Sequence, residues 1–112
     1  MTTDLLHKHS QATASRLTDA AVADLLKQIP AWTIDRSGDG ALRREFTFKN
    51  YYEVMAFVNA VAWISHHQDH HPDMQVGYNR VTISYITHSA GGLTENDFIC
   101  AAKVSTLLNE TP

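Results

Sequence analysis

The chain has little of what marks several common protein classes. A single cysteine, Cys100, among 112 residues excludes an intrachain disulfide, so packing alone must hold the fold and a reducing compartment such as the cytoplasm is its simplest home. No apolar run is long enough to span a bilayer. Positive charge is scarce: nine Lys and Arg against twelve Asp and Glu leave a formal net charge of −3. That balance is a poor electrostatic match for a nucleic-acid backbone or an anionic membrane, so neither is expected as a direct partner. Glycine and proline are sparse, at five and three residues, and neither a low-complexity tract nor a repeat of solenoid period appears. Residues 1–16 mix Thr, Ser, His and Lys without the apolar core or cleavage site of a secretory signal. They are expected to form a flexible N-terminal tail, the other reading being a short helix around Leu5 and Leu6. Residues 17–112 then make one domain, in a chain whose 44% hydrophobic and 19% charged content is ordinary for a folded protein.

Histidine, by contrast, is concentrated. Four of the seven fall in His66-His67-Gln68-Asp69-His70-His71-Pro72-Asp73. An unperturbed imidazole has a pKa of about 6.5 and so gives and takes protons near neutral pH. The stretch reads either as a proton-transfer site or as a solvated, His-rich helix end.

Periodicity places that stretch. Thr18 can cap a helix with Val22, Leu25, Leu26 and Ile29 on one face, stapled by Leu17 and stopped by Pro30. Trp32 and Ile34 open a strand, Ser37-Gly38-Asp39-Gly40 turns, and Leu42, Arg44, Phe46 and Phe48 share one face of a second strand. Asn50 and Glu53 resemble a capping box for a long helix through Val54, Phe57, Val58, Val61, Ile64 and Ser65. Pro72 disfavours helical geometry at His71, which puts the histidines in the last turns of that helix and its exit. Met74, Val76 and Tyr78, then Val81, Ile83, Tyr85 and Thr87, alternate as a second hairpin turning at Asn79-Arg80. His88 follows, then Ser89-Ala90-Gly91-Gly92, and Thr94 with Asp97 caps a last helix running to Leu108. The order αββαββα predicts an α+β fold, a four-stranded antiparallel sheet with three helices packed on one face. Because the last helix is apolar around much of its circumference (Phe98, Ile99, Cys100, Ala101, Ala102, Val104, Leu107, Leu108) and sheet edges invite pairing, an oligomer is expected with that helix at the interface.

The separations linking His66, His70-His71-Pro72, Tyr78, His88 and Asp97, with Thr87-His88 and Gly91-Gly92-Leu93-Thr94-Glu95, resemble those of the pterin-4a-carbinolamine dehydratases, also called 4a-hydroxytetrahydrobiopterin dehydratases. The resemblance covers about residues 18–108. It implies an αββαββα sandwich assembled as a homodimer or homotetramer. It also implies a hydro-lyase that removes water from a 4a-hydroxytetrahydropterin, giving the quinonoid dihydropterin in tetrahydrobiopterin recycling. By the same resemblance His70, His71 and His88 are the catalytic histidines, and the pterin lies beside His70, His71 and Pro72 and beside Thr87, His88, Ser89 and Ala90. No cofactor and no metal is expected. The chain departs from the family in having His66 where an acidic residue is common, Met74 where tryptophan is common, and Ala90 and Asn96 where animal members carry Cys and Arg.

Dehydration needs a proton delivered to the leaving oxygen and another taken from the neighbouring ring nitrogen, so acid and base must flank one flat substrate. The helix C-terminus favours the acid role for His70 and His71, with His71 facing the leaving hydroxyl and His88 as base or as the group that orients N5. Asp69 reads as the holder of a histidine tautomer, as an acceptor from the pterin amino edge, or as a solvated carboxylate. Asp97 is explained by the cap, Trp32 and Tyr78 by core or interface packing, and Cys100 by burial as a small hydrophobe. Two rival functions remain open. His66/His70 and His67/His71 are spaced i, i+4, as in a helical metal site. Some animal relatives of the family also act as dimerisation partners of a transcription factor.

Overall fold

Short polar residues start each helix. In the computed structural model, which describes residues 4–108, Oγ1 of Thr18 accepts from Ala21 N at 3.1 Å and opens α1 (Asp19–Leu26). Oδ1 of Asn50 accepts from Glu53 N at 3.0 Å and opens α2 (Tyr51–Gln68). The Glu53 carboxylate does not complete the expected box on Asn50; it reaches one residue further back, to Lys49 N at 3.1 Å. Thr94 precedes α3 (Glu95–Ser105), and its backbone N–H donates to the Asp97 carboxylate at 2.9 Å.

The strands are β1 (Thr33–Ile34), β2 (Leu42–Thr47), β3 (Asp73–Val76) and β4 (Arg80–Tyr85), in the antiparallel order β1-β2-β4-β3. The central pair β2 and β4 run in register from Leu42↔Tyr85 to Thr47↔Arg80. Strand alternation sends Leu42, Phe46, Val81, Ile83 and Tyr85 to the side of the helices, where they are buried with Val54, Phe57, Val61 and Phe98. Arg43, Glu45, Thr47, Gln75 and Arg80 take the opposite face and are exposed. The fold is therefore α+β, with three helices and a four-stranded antiparallel sheet. Trp32 lies in the core against Phe46 and donates its Nε1–H to Ser105 Oγ at 2.9 Å. Between β1 and β2 the chain reverses at Gly40, whose φ of +87° suits a residue without a Cβ. The Ser37 hydroxyl, bonded to Asp35 at 2.8 Å, holds that carboxyl below its usual range.

Two segments differ from expectation. From Asp4 onward the residues expected as a flexible tail form an arm laid on the domain: Leu5–His7 is a 3-10 turn, and Leu5 is buried in the core. The broad apolar surface of α3 needs no second subunit to cover it, because Phe98, Ile99, Cys100, Ala101, Ala102 and Val104 are all buried within one chain. Large apolar side chains are exposed elsewhere, at Tyr51, Tyr52 (84%) and Trp63 (63%) on α2 and at Val76 and Tyr78 on the β3–β4 hairpin. Tyr78 is thus not a core aromatic. Among the described residues, no helix is long and apolar enough to cross a membrane.

Candidate active site

The site is made where α2 stops. Asp69, directly after Gln68, adopts the left-handed conformation (φ 51°, ψ 44°), and its N–H donates to His66 O at 3.2 Å. His70 N then bonds Ser65 O at 3.0 Å, closing the helix end. This reversal divides the histidine cluster. His66 and His67 stay on the last helical turn, exposed, with His67 stacked on Trp63 at 3.7 Å between centroids. His70 leaves the helix and turns inward.

Inside, His70 Nε2 lies 2.5 Å from Oδ1 of Asp97, a carboxylate with no exposed surface. The imidazole also lies nearly parallel to the Tyr85 ring, with centroids 5.8 Å apart and planes 17° apart. The other Asp97 oxygen, Oδ2, accepts from Thr94 N and from Thr87 Oγ1, both at 2.9 Å, and Thr87 Oγ1 is 2.8 Å from Thr94 Oγ1. An ionised carboxylate only accepts, so His70 must present an N–H at Nε2, which leaves Nδ1 as the free site of the ring. Two neighbours are kept neutral. Burial pushes the Tyr85 phenol, bonded to Ser65 at 3.1 Å, far above its usual value. Burial, with Asp97 nearby, pushes the Cys100 thiol up to about 12.

A cavity of about 780 Å³ opens beside this arrangement, lined by Asp69, His70, Thr87 and Ser89 together with Gln68, Asn96 and residues 9–14 of the arm. Its volume is in the range of small-molecule sites. Four residues expected near the substrate do not line it: His71 and His88 are exposed, and Pro72 and Ala90 are half-buried. His71 adjoins it through its chain neighbour His70, and His88 through Thr87 and Ser89; His88–Ala90 form a 3-10 turn.

Sequence reasoning preferred the cap to a catalytic role for Asp97, and considered Asp69 for holding a histidine. The structure gives Asp97 both tasks, one for each oxygen, while Asp69 shapes the backbone. The signal for the second task was the fixed separation of Asp97 from the histidines, which the local helix pattern does not need. Nothing in the local pattern of residues 9–14 marked them as a cavity wall. The rival metal reading loses its premise: α2 ends at Gln68, so His70 and His71 do not lie one turn above His66 and His67 on a shared helix face.

Residues 15–107 match the model of the family described as pterin 4 alpha carbinolamine dehydratase. A protein of Stenotrophomonas maltophilia (strain R551-3), described as "Putative pterin-4-alpha-carbinolamine dehydratase", is 56% identical over 97 residues, covering 87% of this chain and 83% of that relative. Among solved structures, a protein of Brucella melitensis titled transcriptional coactivator/pterin dehydratase superposes with a TM-score of 0.77 at 31% identity, covering 83% of this chain and 98% of its own. A pterin dehydratase-like protein titled as a RuBisCO assembly factor in the alpha-carboxysome gives 0.57 at 27% identity, over 66% of this chain and 84% of its own. With the family match spanning most of its length, the chain belongs to the pterin-4a-carbinolamine dehydratase family.

Proposed function

We propose that the protein removes water from a 4a-hydroxytetrahydropterin, giving the quinonoid dihydropterin, and that it serves tetrahydrobiopterin recycling. The observation that carries this reading is the His70 ring, fixed by a buried carboxylate at the wall of a cavity that can take a bicyclic ring. In the reaction the C4a–O bond breaks, a proton joins the departing hydroxyl, N5 loses its proton, and a C4a–N5 double bond forms. Only protons move between protein and substrate, so histidines suffice without cofactor or metal. His70, held by Asp97, orients the pterin. His71 supplies the proton to the hydroxyl and His88 takes the one from N5. Asp69, Thr87 and Ser89 complete the substrate's surroundings in the cavity, with Pro72 and Ala90 outside its lining. A direct dehydration assay on enzymatically generated 4a-hydroxytetrahydropterin tests this; no acceleration over buffer anywhere between about pH 6 and 8, where histidine titrates, ends the proposal.

A second reading, a binding module, draws on the titles of the two solved relatives, one a coactivator and the other an assembly factor. The exposed Tyr52 and Trp63 of α2 offer such a module its surface. The same surface supports a homodimer or homotetramer, formed through α2 and not through α3. The protein's setting on this reading of its chemistry is the cytoplasm, with no direct nucleic-acid or membrane partner. Turnover by the isolated protein favours the enzyme over a pure adaptor.

A further inference from the structure

The arm that precedes α1 is anchored as if its position matters. Lys103 Nζ donates to Leu6 O at 2.7 Å, and Lys8 pairs with Glu95 at 2.8 Å. Ser10 N donates to Gln68 Oε1 at 2.8 Å, and Ser10 Oγ bonds Gln68 O. Asn96 then grips Gln11 by its backbone at both ends: its Oδ1 accepts from Gln11 N at 2.9 Å, and its Nδ2 donates to Gln11 O at 2.8 Å. Gln68 and Asn96 are both buried, at 7% exposure, and buried amides cost stability unless their bonds are made. Here those bonds are spent on one short stretch of main chain. The stretch is carried across the end of α2 and the start of α3, the two places that supply His70 and Asp97.

Beyond Gln11 the character changes. Ala12, Thr13 and Ala14 line the cavity opposite Asp69, His70, Thr87 and Ser89. Thr13 and Ser89 are both exposed, and their hydroxyls give the cavity two donor–acceptor groups from two different segments. The arm up to Ala14 also lies ahead of the residues that match the family, which begin at 15.

We infer that the arm is the outer wall of the substrate cavity and selects the substituent at C6 of the pterin, favouring a short, hydroxylated side chain that bonds Thr13 and Ser89. This rests on the dehydratase reading. The flat ring meets His70, and its substituent points to residues 11–14. Asn96 is a positioning residue: it touches the arm, which in turn touches the substituent.

Two substrates separate the possibilities, 4a-hydroxytetrahydropterins bearing either 1,2-dihydroxypropyl or methyl at C6. In Asn96→Ala the amides of residues 9–14 should exchange faster with solvent, and the preference for the dihydroxypropyl substrate in kcat/KM should fall about 5- to 10-fold, the worth of one or two hydrogen bonds, mainly through KM. Thr13→Val leaves every anchor in place and should lower that preference about 3-fold or more, so it carries the test alone if Asn96→Ala does not fold. An unchanged preference in Thr13→Val, or in an Asn96→Ala whose arm exchanges faster, overturns the inference while the dehydratase reading stands. Protected arm amides in a folded Asn96→Ala overturn the anchoring. Wild-type protein inactive on both substrates overturns the dehydratase reading and this inference with it.

Discussion

His70 and Asp97 meet across 27 residues of chain, the ring nitrogen of one 2.5 Å from the carboxylate of the other. Asp97 is at once a cap, tying Thr94 and Thr87 together, and the group that fixes the His70 ring. Asp97→Asn keeps the shape but can offer acceptor oxygen to only one side. Either the Thr94 N–H faces an amide donor, or the His70 N–H does, and in that second orientation the ring must change tautomer to avoid it. We expect a loss of about 1–3 kcal/mol in unfolding free energy. Both Asp97→Asn and His70→Ala should raise KM more than they lower kcat. A fall in kcat with KM unchanged would move His70 from orientation to proton transfer.

His71 and His88 are exposed and contribute little packing, so their alanine variants should keep wild-type circular dichroism and thermal midpoints. Each single variant should lose about 10²- to 10⁴-fold in turnover, the usual contribution of a positioned acid or base. The double variant His71→Ala/His88→Ala should lose more than either. Full turnover in a folded double variant would exclude this division of roles and direct attention to Asp69, His66 and His67.

Assembly should respond to α2 and not to α3. Tyr52→Glu and Trp63→Glu place charge on exposed positions, so the monomer should stay folded while sedimentation shows a smaller species. Leu107 is half-buried against the core, so Leu107→Glu should lower the thermal midpoint instead. A folded monomer produced only by Leu107→Glu would return the interface to the 3-10 turn Thr106–Leu108 that follows α3.

Cys100 supplies a pH prediction. In the folded chain burial keeps its thiol protonated up to about 12, whereas an unfolded chain releases it near the ordinary value of 9.0. Above pH 9 the unfolded state therefore binds fewer protons than the native state, and stability must fall as pH rises through that window. Urea midpoints should decline between pH 9 and 10.5. Iodoacetamide at pH 8 should leave Cys100 unmodified in native protein and alkylate it in denaturant. Rapid labelling of the native chain would show that α3 opens readily.

The sequence made legible what depends on neighbours along the chain. Pro72 announced the end of α2, Thr18 and Asn50 the starts of α1 and α2, and the alternation from Leu42 to Phe48 the buried face of β2. What it hid depends on distant partners. A helix apolar around its circumference carries the same pattern whether its own chain or another subunit covers it, so the burial of Ile99 and Ala102 could not be read in advance. At Ser10 and Gln11 the arm docks largely through its backbone, to Gln68 and Asn96, and backbone bonds leave no side-chain signature. The bond from Asp97 to His70 was hidden for a related reason, since its capping role already accounted for the residue.

Asp69 carries a consequence for comparing relatives. It is the one described residue other than glycine with positive φ, and the direction in which His70 leaves α2 depends on it. A side chain branched at Cβ is strained in that conformation, while glycine, asparagine and aspartate adopt it readily. Evolution can thus keep a narrow choice at this position for conformational reasons alone. Finding only those three residues there across many homologues would reflect the bend, and would say nothing about whether the carboxylate touches the substrate.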